Sequence, residues 1–439
     1  MSYSPVFEML KKYAFEKRAR FHMPGHKGTG TLFDGIGADL VRMDVTELDF
    51  TDNLLNPSGA FKEAETLMAK RAKSFKSYFL TGGSTLGNQT MIMSCLKEEE
   101  KILVDRFCHI SVFSALAFSG AVPRYIENAY ADKSGVLGCI DDKMVAKAIK
   151  ENPDAKAVFV TSPNSFGQVA PLEKISRLCK ENNMLLLVDE AHGAHFPYSD
   201  LLPKSAMECG ADASVVSYHK TMPALTQSAV LHIGNEKLCS RAEETLHMLM
   251  TSSSSFLLAA SIDYARSFME NEGKEKIQQL IRLIEENRPE NVLKTADPLR
   301  IVALCDGEKY ISAMRGAGME PEMYGKGFMV FIVTAADDCE NVLKLLNILS
   351  TLPKSEYVAP EIPKAEIKVT PGQAFKLQGR ECSLEDACGK VSKKALYAYP
   401  PGVPAVLPGS VLDEKIINFI KSNNLEGIRE NKINIIEGM

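Results

Sequence analysis

Short apolar runs alternate with amphipathic segments between about residue 75 and residue 235. Each run has the length of one strand: Ser77–Leu80, Ile102–Val104, Val122–Ile126, Ala157–Val160, Met184–Val188, Ala213–Val216 and Ala229–Ile233. The segments between them show helical periodicity, as in Leu86–Leu96, Met144–Ile149 and Leu172–Cys179. Continuous apolar strands separated by amphipathic helices are typical of an α/β domain with a largely parallel sheet that is covered on both faces.

The pattern changes after residue 235. Helices are predicted first, over Phe256–Met269 and Ile277–Ile284, and then strands over Ile301–Leu304 and Phe328–Val333 with a helix over Asn341–Leu349. Pro353–Pro363 is predicted to be an exposed connection, and a last helix covers Leu412–Ile420. We therefore predict an N-terminal arm (1–40), a large domain (41–288) and a smaller α+β domain (289–439).

Two polar motifs follow apolar runs of the predicted sheet. Asp189 begins Asp189-Glu190-Ala191-His192, and Lys220 ends Ser217-Tyr218-His219-Lys220. Ligands of such sheets bind beyond the carboxyl ends of the strands. A lysine amine there can form an imine with an aldehyde, and an aspartate can keep a pyridine nitrogen protonated. The pair predicts a site for pyridoxal 5'-phosphate (PLP).

Each motif has other interpretations. Asp-Glu-Ala-His also matches a helicase box, which needs a G-x-x-x-x-G-K-[ST] loop that the sequence lacks. Ser217-x-x-Lys220 matches the serine nucleophile of penicillin-binding proteins, but S-D-N is missing. Asp189, His192 and His195 could form a metal triad, although their spacing is not H-E-x-x-H and no cysteine pair lies nearby. We therefore predict no metal.

A cofactor phosphate requires an anion site. Thr81-Gly82-Gly83-Ser84-Thr85 follows a predicted strand and precedes a predicted helix, so backbone amides and the Ser84 and Thr85 hydroxyls could bind a phosphate. An ordinary glycine turn with a capped helix is the simpler interpretation of this motif alone. His109 also follows a strand and could stack on the cofactor ring, although a lone histidine is more often structural.

Composition limits the remaining classes of protein. The chain has 439 residues, enough for two domains, with 45% hydrophobic and 24% charged residues. A net charge of -5 argues against an extended nucleic-acid-binding face. Ten cysteines without paired metal spacing, and no secretory signal, indicate reduced thiols and a cytoplasmic protein. The apolar stretches are too short for a membrane span.

Several segments together resemble the bacterial ornithine/lysine/arginine decarboxylase family. They are Phe21-His22-Met23-Pro24-Gly25-His26-Lys27-Gly28, Asp44-Val45-Thr46-Glu47-Leu48-Asp49, Asp105-Arg106-Phe107-Cys108-His109, Asp189 to His195, Ser217 to Lys220, and Tyr399-Pro400-Pro401-Gly402-Val403-Pro404. These matches extend from the N-terminal arm to the last domain. The arm reaches Phe21 almost at once, so the chain resembles the short form without the response-regulator-like domain.

The resemblance implies the aspartate-aminotransferase-like PLP fold (fold type I) and decarboxylation of a basic amino acid, arginine first, then lysine or ornithine. It implies that Lys220 carries the cofactor, that Asp189 contacts the pyridine nitrogen and that His109 stacks on the ring. It also places Ser84, Thr85, Ser217 and His219 around the phosphate. We further predict that Gly83 and His192 contact the cofactor and that Lys220 or His219 returns a proton to the α-carbon. The resemblance also implies at least a homodimer. From the net charge and the short apolar stretches we predict no nucleic-acid and no membrane partner.

The sequence departs from the family pattern near the substrate. Pro408-Gly409-Ser410 replaces the usual Pro-Gly-Glu, and Ser165-Phe166 stands where a tyrosine is expected. The acidic segment containing Asp44, Glu47, Asp49 and Asp52 is therefore our candidate for binding the substrate side chain, although an acidic run is usually a solvated face. An aminotransferase or another carbon–carbon lyase on the same fold, and a non-catalytic PLP-binding protein, are the alternative functions.

Overall fold

The structure is a computed structural model that describes residues 19–22, 25, 27, 43–47, 51–128, 130–131, 133–398, 402–423, 425–428 and 430–439. Some residues of the family-like segments lie outside this part of the chain, namely Met23, Pro24, His26, Gly28, Leu48, Asp49, Tyr399, Pro400 and Pro401.

Strands and helices alternate along most of the described chain. The strands are β1 (Ala19–Phe21), β2 (Lys76–Leu80), β3 (Lys101–Asp105), β4 (Val122–Ile126), β5 (Ala157–Thr161), β6 (Leu185–Asp189), β7 (Ala213–Ser217), β8 (Ala229–Ile233), β9 (Val292–Leu293), β10 (Arg300–Ala303), β11 (Met319–Pro321), β12 (Met323–Gly325), β13 (Phe328–Ile332), β14 (Gly379–Ser383), β15 (Leu396–Ala398), β16 (Val403–Val406), β17 (Leu425–Glu426) and β18 (Lys432–Ile436). The α-helices are α1 (Ala60–Ala72), α2 (Gly83–Cys95), α3 (Ile110–Ser119), α4 (Asp142–Glu151), α5 (Leu172–Glu181), α6 (Tyr218–Thr221), α7 (Cys239–Leu249), α8 (Phe256–Phe268), α9 (Lys274–Asn287), α10 (Gly307–Gly316), α11 (Cys339–Ser350), α12 (Pro371–Lys376) and α13 (Glu414–Ser422). Within the described residues, none of the helices is long and apolar enough to cross a membrane.

The predicted α/β sheet is confirmed. Seven strands pair in the order β2-β8-β7-β6-β5-β3-β4, and only β8 runs antiparallel to its neighbours. Alternate side chains enter different cores: Phe159 of β5 joins one apolar cluster, whereas Val158 and Val160 join another on the opposite face. Burial on both faces explains why these strands appear in the sequence as continuous apolar runs.

A second region of sheet and helix follows α9. The strands β12, β13, β10 and β9 form an antiparallel sheet, and β14–β18 and β16–β15–β17 form two smaller ones. The strands predicted over Ile301–Leu304 and Phe328–Val333 and the helix predicted over Asn341–Leu349 are present. Residues 353–366 form neither helix nor strand, as predicted for a connection. The domain boundaries at residues 40 and 288 stay a prediction.

The N-terminal segment pairs with this second region. Strand β1 runs parallel to β11, with Phe21 opposite Pro321. The fully buried Phe21 ring meets Phe331 of β13 edge to face, with the ring centroids 5.8 Å apart. The first described residues of the predicted arm are therefore held by strands β11 and β13.

Arg106 connects the end of β3 to the C-terminal region. Its buried guanidinium donates to the carbonyl oxygens of Pro363, Pro404 and Ala405 and lies 3.5 Å from the Glu127 carboxylate. A buried cation needs such partners, because its desolvation is otherwise costly. These contacts give a structural reason for finding Arg106 and Pro404 in two family-like segments far apart in the sequence.

The buried His232 on β8 makes stability depend on pH. Its Nδ1 lies 2.8 Å from the Ser77 hydroxyl, and burial lowers the pKa of the imidazole to about 3. An unfolded histidine has a pKa near 6.5. The unfolded chain therefore binds more protons than the folded chain between these values, and stability is lost as pH falls from about 6.5 towards 3.

We expect His232→Asn to lower the unfolding free energy at pH 7, and the variant to lose less unfolding free energy on acidification than wild type does. The gap in unfolding free energy between wild type and variant should narrow by about 3 kcal/mol between roughly pH 7 and pH 4.5, because two pKa units correspond to about that energy. Urea titrations at both pH values measure the gap. His247→Asn, on the exposed part of α7, is the control and should show a constant gap. A constant gap for His232→Asn would contradict the assignment.

Candidate active site

The carboxyl ends of β6 and β7 bring the two predicted motifs together. These strands are parallel neighbours, with Asp189 opposite Val215, so Asp189 and Ser217 end at the same edge. Lys220 follows on the single turn α6, whose N-cap is Ser217. The sheet topology therefore places a carboxylate and an amine at one edge of the sheet, where ligands of such sheets bind.

Asp189 is buried and held by two donors. Its Oδ2 accepts from the Asn88 side-chain amide at 2.7 Å, and its Oδ1 accepts from the Ala191 backbone N–H at 3.1 Å. Asn88 comes from α2 and is fully buried. A buried carboxylate needs such hydrogen bonds, and these two fix the direction in which its remaining lone pairs point.

A hydrogen-bond chain joins Asp189 to His109. The Asn88 amide also donates to the Ser111 hydroxyl at 3.0 Å, and that hydroxyl lies 2.9 Å from His109 Nδ1. His109 is the N-cap of α3, and its Nδ1 also accepts from the Ser111 backbone N–H at 3.2 Å. Because Nδ1 accepts the backbone hydrogen, the neutral ring carries its proton on Nε2.

Lys220 lies in an electrostatically mixed environment. Its Nζ is 3.1 Å from His192 Nε2. Burial lowers the pKa of the Lys220 amine, the charges of Asp189 and Glu322 oppose that change, and Arg300 adds to it. Desolvation is the larger effect, so the amine is more easily deprotonated than a surface lysine and can act as a nucleophile at lower pH.

The glycine turn before α2, together with Ser84 and Ser217, is the candidate anion cradle. Gly83 has a φ of 70°, a conformation that favours glycine, and the helix begins without a side-chain cap on its first N–H groups. The Ser217 hydroxyl donates to the Ser84 hydroxyl at 2.9 Å. Thr85 lies next to them and is exposed. Free amides at the start of a 13-residue helix and two adjacent hydroxyls suit a phosphate.

His219 keeps one ring nitrogen without a hydrogen. Its Nδ1 lies 3.1 Å from the Ser228 carbonyl oxygen, which can only accept a hydrogen bond. Nδ1 therefore carries the proton, and the neutral ring keeps an unprotonated Nε2. Burial lowers the pKa of this imidazole, and Lys220 contributes in the same direction against the Ser228 hydrogen bond. The geometry suits a proton acceptor.

Arg300 is a site residue that the sequence analysis missed. It begins β10 and is 2% exposed, and Gly167 makes room for it, because a Cβ there would lie 2.7 Å from the Arg300 Cβ. Its Nη2 is 3.4 Å from His192 Nδ1, while Nε and Nη1 have no hydrogen-bond partner among the described residues. A buried cation with two vacant donors is prepared for an anion.

Asp189, His192 and His195, the candidate metal triad, each contact different partners. His195 Nε2 lies 3.2 Å from the Asp297 carboxylate, and both side chains are buried. Burial would raise the pKa of Asp297, but His195 and Arg300 outweigh it and hold that pKa below its usual value. No group of three or more metal-ligating side chains occurs within the described residues.

The N-terminal segment contacts the lysine turn. The Gly25 N–H donates to the His219 carbonyl oxygen at 2.6 Å, and the Gly25 carbonyl oxygen accepts from the Thr334 hydroxyl at 2.7 Å. A Cβ on Gly25 would lie 2.6 Å from the Met222 carbonyl oxygen, so only glycine fits. Next to it, the buried Lys27 amine donates to the Ile332 carbonyl oxygen at 2.8 Å.

Ser410 and Phe166, which stand at the two departures from the family pattern, both have structural contacts. The fully buried Ser410 hydroxyl accepts from the Leu407 N–H at 3.2 Å inside the C-terminal region. Phe166 is fully buried and meets the Phe328 ring edge to face, with the centroids 4.9 Å apart. Neither side chain offers a charge to a substrate cation.

The candidate acidic segment is partly described. The Asp52 carboxylate accepts from the backbone N–H groups of Asn53, Ser58, Gly59 and Phe61, so its oxygens are used in the turn before α1. Asp44 is exposed, and Asp49 lies outside the described residues. Glu322, between β11 and β12, is instead within electrostatic reach of Lys220 and Arg300.

Comparison with known proteins agrees with this architecture. Residues 4–310 match the family model for the Orn/Lys/Arg decarboxylase major domain, and residues 358–427 match its C-terminal domain. The arginine decarboxylase of Halalkalibacterium halodurans is 32% identical over 97% of this chain and 94% of its own length.

Two solved structures show the same fold. The lysine decarboxylase of Francisella novicida superposes with a TM-score of 0.80 at 19% identity, over 99% of this chain and 81% of its own. A structure of SPT with PLP superposes with a TM-score of 0.58 at 15% identity, over 76% of this chain and 86% of its own. With its fold and both family domains accounted for, the chain belongs to the Orn/Lys/Arg decarboxylase family.

Proposed function

We propose that this chain is a PLP-dependent decarboxylase that removes the α-carboxyl group of a basic amino acid, with arginine first and lysine or ornithine next. Family membership establishes the class of enzyme, a decarboxylase. The single observation that carries the assignment of its site is the meeting of Lys220 and Asp189 at the carboxyl edge of one parallel sheet.

The described residues fit the cofactor. Lys220 offers a half-buried amine with a lowered pKa for the aldehyde, and Asp189 offers a buried carboxylate for the pyridine nitrogen. The uncapped start of α2 with Gly83, and the paired Ser84 and Ser217 hydroxyls, offer an anion site for the phosphate. Thr85, His109, His192 and His219 complete the proposed set. When bound, the cofactor accepts the electron pair that the departing carboxyl group leaves on the α-carbon.

The residues around this centre have separate tasks. Asn88 and Ala191 orient the Asp189 carboxylate, so that it can keep a ring nitrogen protonated. The unprotonated Nε2 of His219 and the amine of Lys220 can each take up and return a proton near the α-carbon. Because His219 holds its proton on Nδ1, we favour proton transfer over phosphate binding as its role.

We propose that Arg300 and Glu322 hold the two charged ends of the substrate. The vacant Nε and Nη1 of Arg300 suit the α-carboxylate, and a carboxylate within reach of Arg300 and Lys220 suits the side-chain cation. An arginine of this kind is also what an aminotransferase uses to hold the α-carboxylate, so transamination is the second candidate reaction. We also propose at least a homodimer, as the family resemblance implies.

Lys220 should be the covalent carrier. Protein incubated with PLP and then reduced with borohydride should hold the cofactor on one peptide, the one containing Lys220, because this amine is desolvated and lies beside Asp189. Peptide mapping by mass spectrometry checks this, and Lys220→Ala should remove the label. Lys27 is the control, since it is a second shielded lysine and is buried more fully than Lys220. A label there, or on any other lysine, would contradict the assignment.

Asp189→Asn should fold normally but lose at least about a hundredfold in kcat, since a neutral amide stabilises a protonated ring nitrogen by several kcal/mol less than a carboxylate does. Released carbon dioxide and thermal melting are the measurements. Glu190→Gln is the control, because Glu190 is equally buried but accepts from the Ala206 N–H. It should retain turnover within a few fold. If Asp189→Asn also retained turnover within a few fold of wild type, Asp189 would have no part in the mechanism.

Arg300→Gln and Glu322→Gln should change binding in different ways. Arg300→Gln should weaken binding of arginine by about tenfold or more but leave binding of the product amine, which lacks a carboxylate, nearly unchanged. Glu322→Gln should weaken both ligands, because both carry the side-chain cation. Calorimetric titration of the cofactor-loaded enzyme, made slow by Asp189→Asn, measures both constants.

The same titrations, together with an analysis of the products formed by the wild-type enzyme, distinguish other roles of these residues and the alternative reaction. Equal weakening of both ligands in Arg300→Gln would exclude a carboxylate-specific contact. Loss of cofactor instead of substrate would mean that Arg300 binds the phosphate. Keto acid formed from arginine by the wild-type enzyme would support the transamination alternative, whereas amine and carbon dioxide in equal amounts would support decarboxylation.

A further inference from the structure

One imidazole lies between the buried guanidinium of Arg300 and the amine of Lys220. His192 Nδ1 is 3.4 Å from Arg300 Nη2, and His192 Nε2 is 3.1 Å from Lys220 Nζ. The ring follows β6 by three residues, α6 carries the lysine, and β10 begins with the arginine. Three separate parts of the chain therefore meet in one row of nitrogen atoms.

The arginine determines which His192 nitrogen carries the proton. A guanidinium has five N–H donors and no acceptor, and it keeps its charge in proteins. A hydrogen on Nδ1 would therefore point at a cation that can only donate. Nδ1 must be the acceptor of the Arg300 N–H, and a neutral imidazole then has its one hydrogen on Nε2.

The histidine in turn determines the state of the lysine. The Nε2–H group points at Lys220 Nζ, and it can be accepted only if that nitrogen has a free lone pair. An ammonium group there would oppose one donor to another. We propose that Arg300 and His192 are positioning residues that together hold Lys220 as the free amine, ready to react with the cofactor aldehyde.

The charges around Lys220 explain why such a device is needed. Asp189 and Glu322 both favour the ammonium form, whereas burial and Arg300 favour the amine. The histidines do not add positive charge. Burial lowers the pKa of His192 far below its usual value, with Lys220 and Arg300 contributing, and burial likewise lowers the pKa of His219 and of His109. The row of Arg300 and His192 therefore adds to desolvation in favouring the free amine of Lys220, whereas the two carboxylates favour the ammonium form.

The proposal rests on Lys220 being the cofactor carrier. The free amine nitrogen donates its lone pair to the aldehyde carbon, and the aldehyde oxygen leaves as water once two protons have reached it. An ammonium group has no lone pair and cannot begin this reaction. The row therefore sets the pH at which the chain captures its cofactor, independently of any amino acid substrate.

The test measures covalent capture of PLP by the cofactor-free, full-length chain without amino acid. Initial rates are followed across about pH 6 to 10 by borohydride trapping, and the label on the Lys220 peptide is quantified. Arg300→Gln and His192→Leu should each raise the midpoint of the profile by about one pH unit or more, because each removes support for the free amine. The double variant should match Arg300→Gln, since the two residues act in series.

Controls separate the row from general effects of charge and folding. Arg266→Gln removes another buried arginine, whose hydrogen bonds go to Asp263 and Glu270, and should leave the midpoint unchanged. An unchanged midpoint in His192→Leu, or additive shifts in the double variant, would overturn the proposal. Label on a lysine other than Lys220 would instead refute the proposed function.

A spectroscopic measurement tests the tautomer directly. The chain has eight histidines, and comparison with His192→Leu identifies the His192 signals in protein labelled with nitrogen-15 imidazole. The cofactor-free chain should show the Nε2–H tautomer of His192, and Arg300→Gln should give a mixture of tautomers. A His192 proton on Nδ1 in the wild-type chain would contradict the proposed row, whatever the capture rates show.

Discussion

The hydrogen bonding of the buried Asp189 carboxylate is the interaction on which the rest of the site depends. Its burial is tolerable because the Asn88 amide and the Ala191 N–H supply hydrogen bonds. Asn88 lies on α2, whose uncapped start forms the anion cradle, and the same amide reaches Ser111 on α3. One side chain thus fixes the relative positions of the carboxylate, the anion cradle and the helix that begins after His109. This explains how three distant chain segments keep one geometry.

A second constraint comes from the closure of the smaller sheets over the lysine turn. Gly25 can approach the Met222 carbonyl only because it has no side chain, and its backbone bridges His219 and Thr334. Arg106, at the end of β3, donates to carbonyl oxygens of the C-terminal region. Motifs from both ends of the sequence therefore occur together because they hold the smaller sheets against the end of the large one.

The large sheet could be predicted from sequence because strands buried on both faces leave continuous apolar runs, and Asp189 and Lys220 stood out because each follows such a run. Asn88 and Arg300 could not be found in this way. Asn88 is one of several polar residues in α2, and only the packing of this helix shows that it contacts Asp189. Arg300 starts a strand of a different sheet, and its nearness to Lys220 depends on how the two sheets meet. The sequence signal for Arg300 was a charged residue directly before the apolar run Ile301–Leu304. The acidic segment was chosen because Ser410 replaces the usual glutamate, and in the structure the Asp52 oxygens already accept hydrogen bonds from backbone N–H groups.

The charges around Lys220 bear on the exchange of product for substrate. Asp189 and Glu322 are negative, and Arg300 is positive and only partly satisfied by hydrogen bonds. Under the proposed function, the substrate arrives with a carboxylate for Arg300 and a side-chain cation for Glu322, so it leaves the balance of charge unchanged. Loss of carbon dioxide removes the anion but keeps the cation. The bound product then leaves the two vacant donors of Arg300 without a carboxylate, although Asp297 and Glu322 stay within electrostatic reach of the guanidinium. Leaving buried donors unsatisfied costs free energy, and a new substrate satisfies them again. The buried arginine therefore favours exchange of product for substrate, and this exchange is needed for repeated turnover.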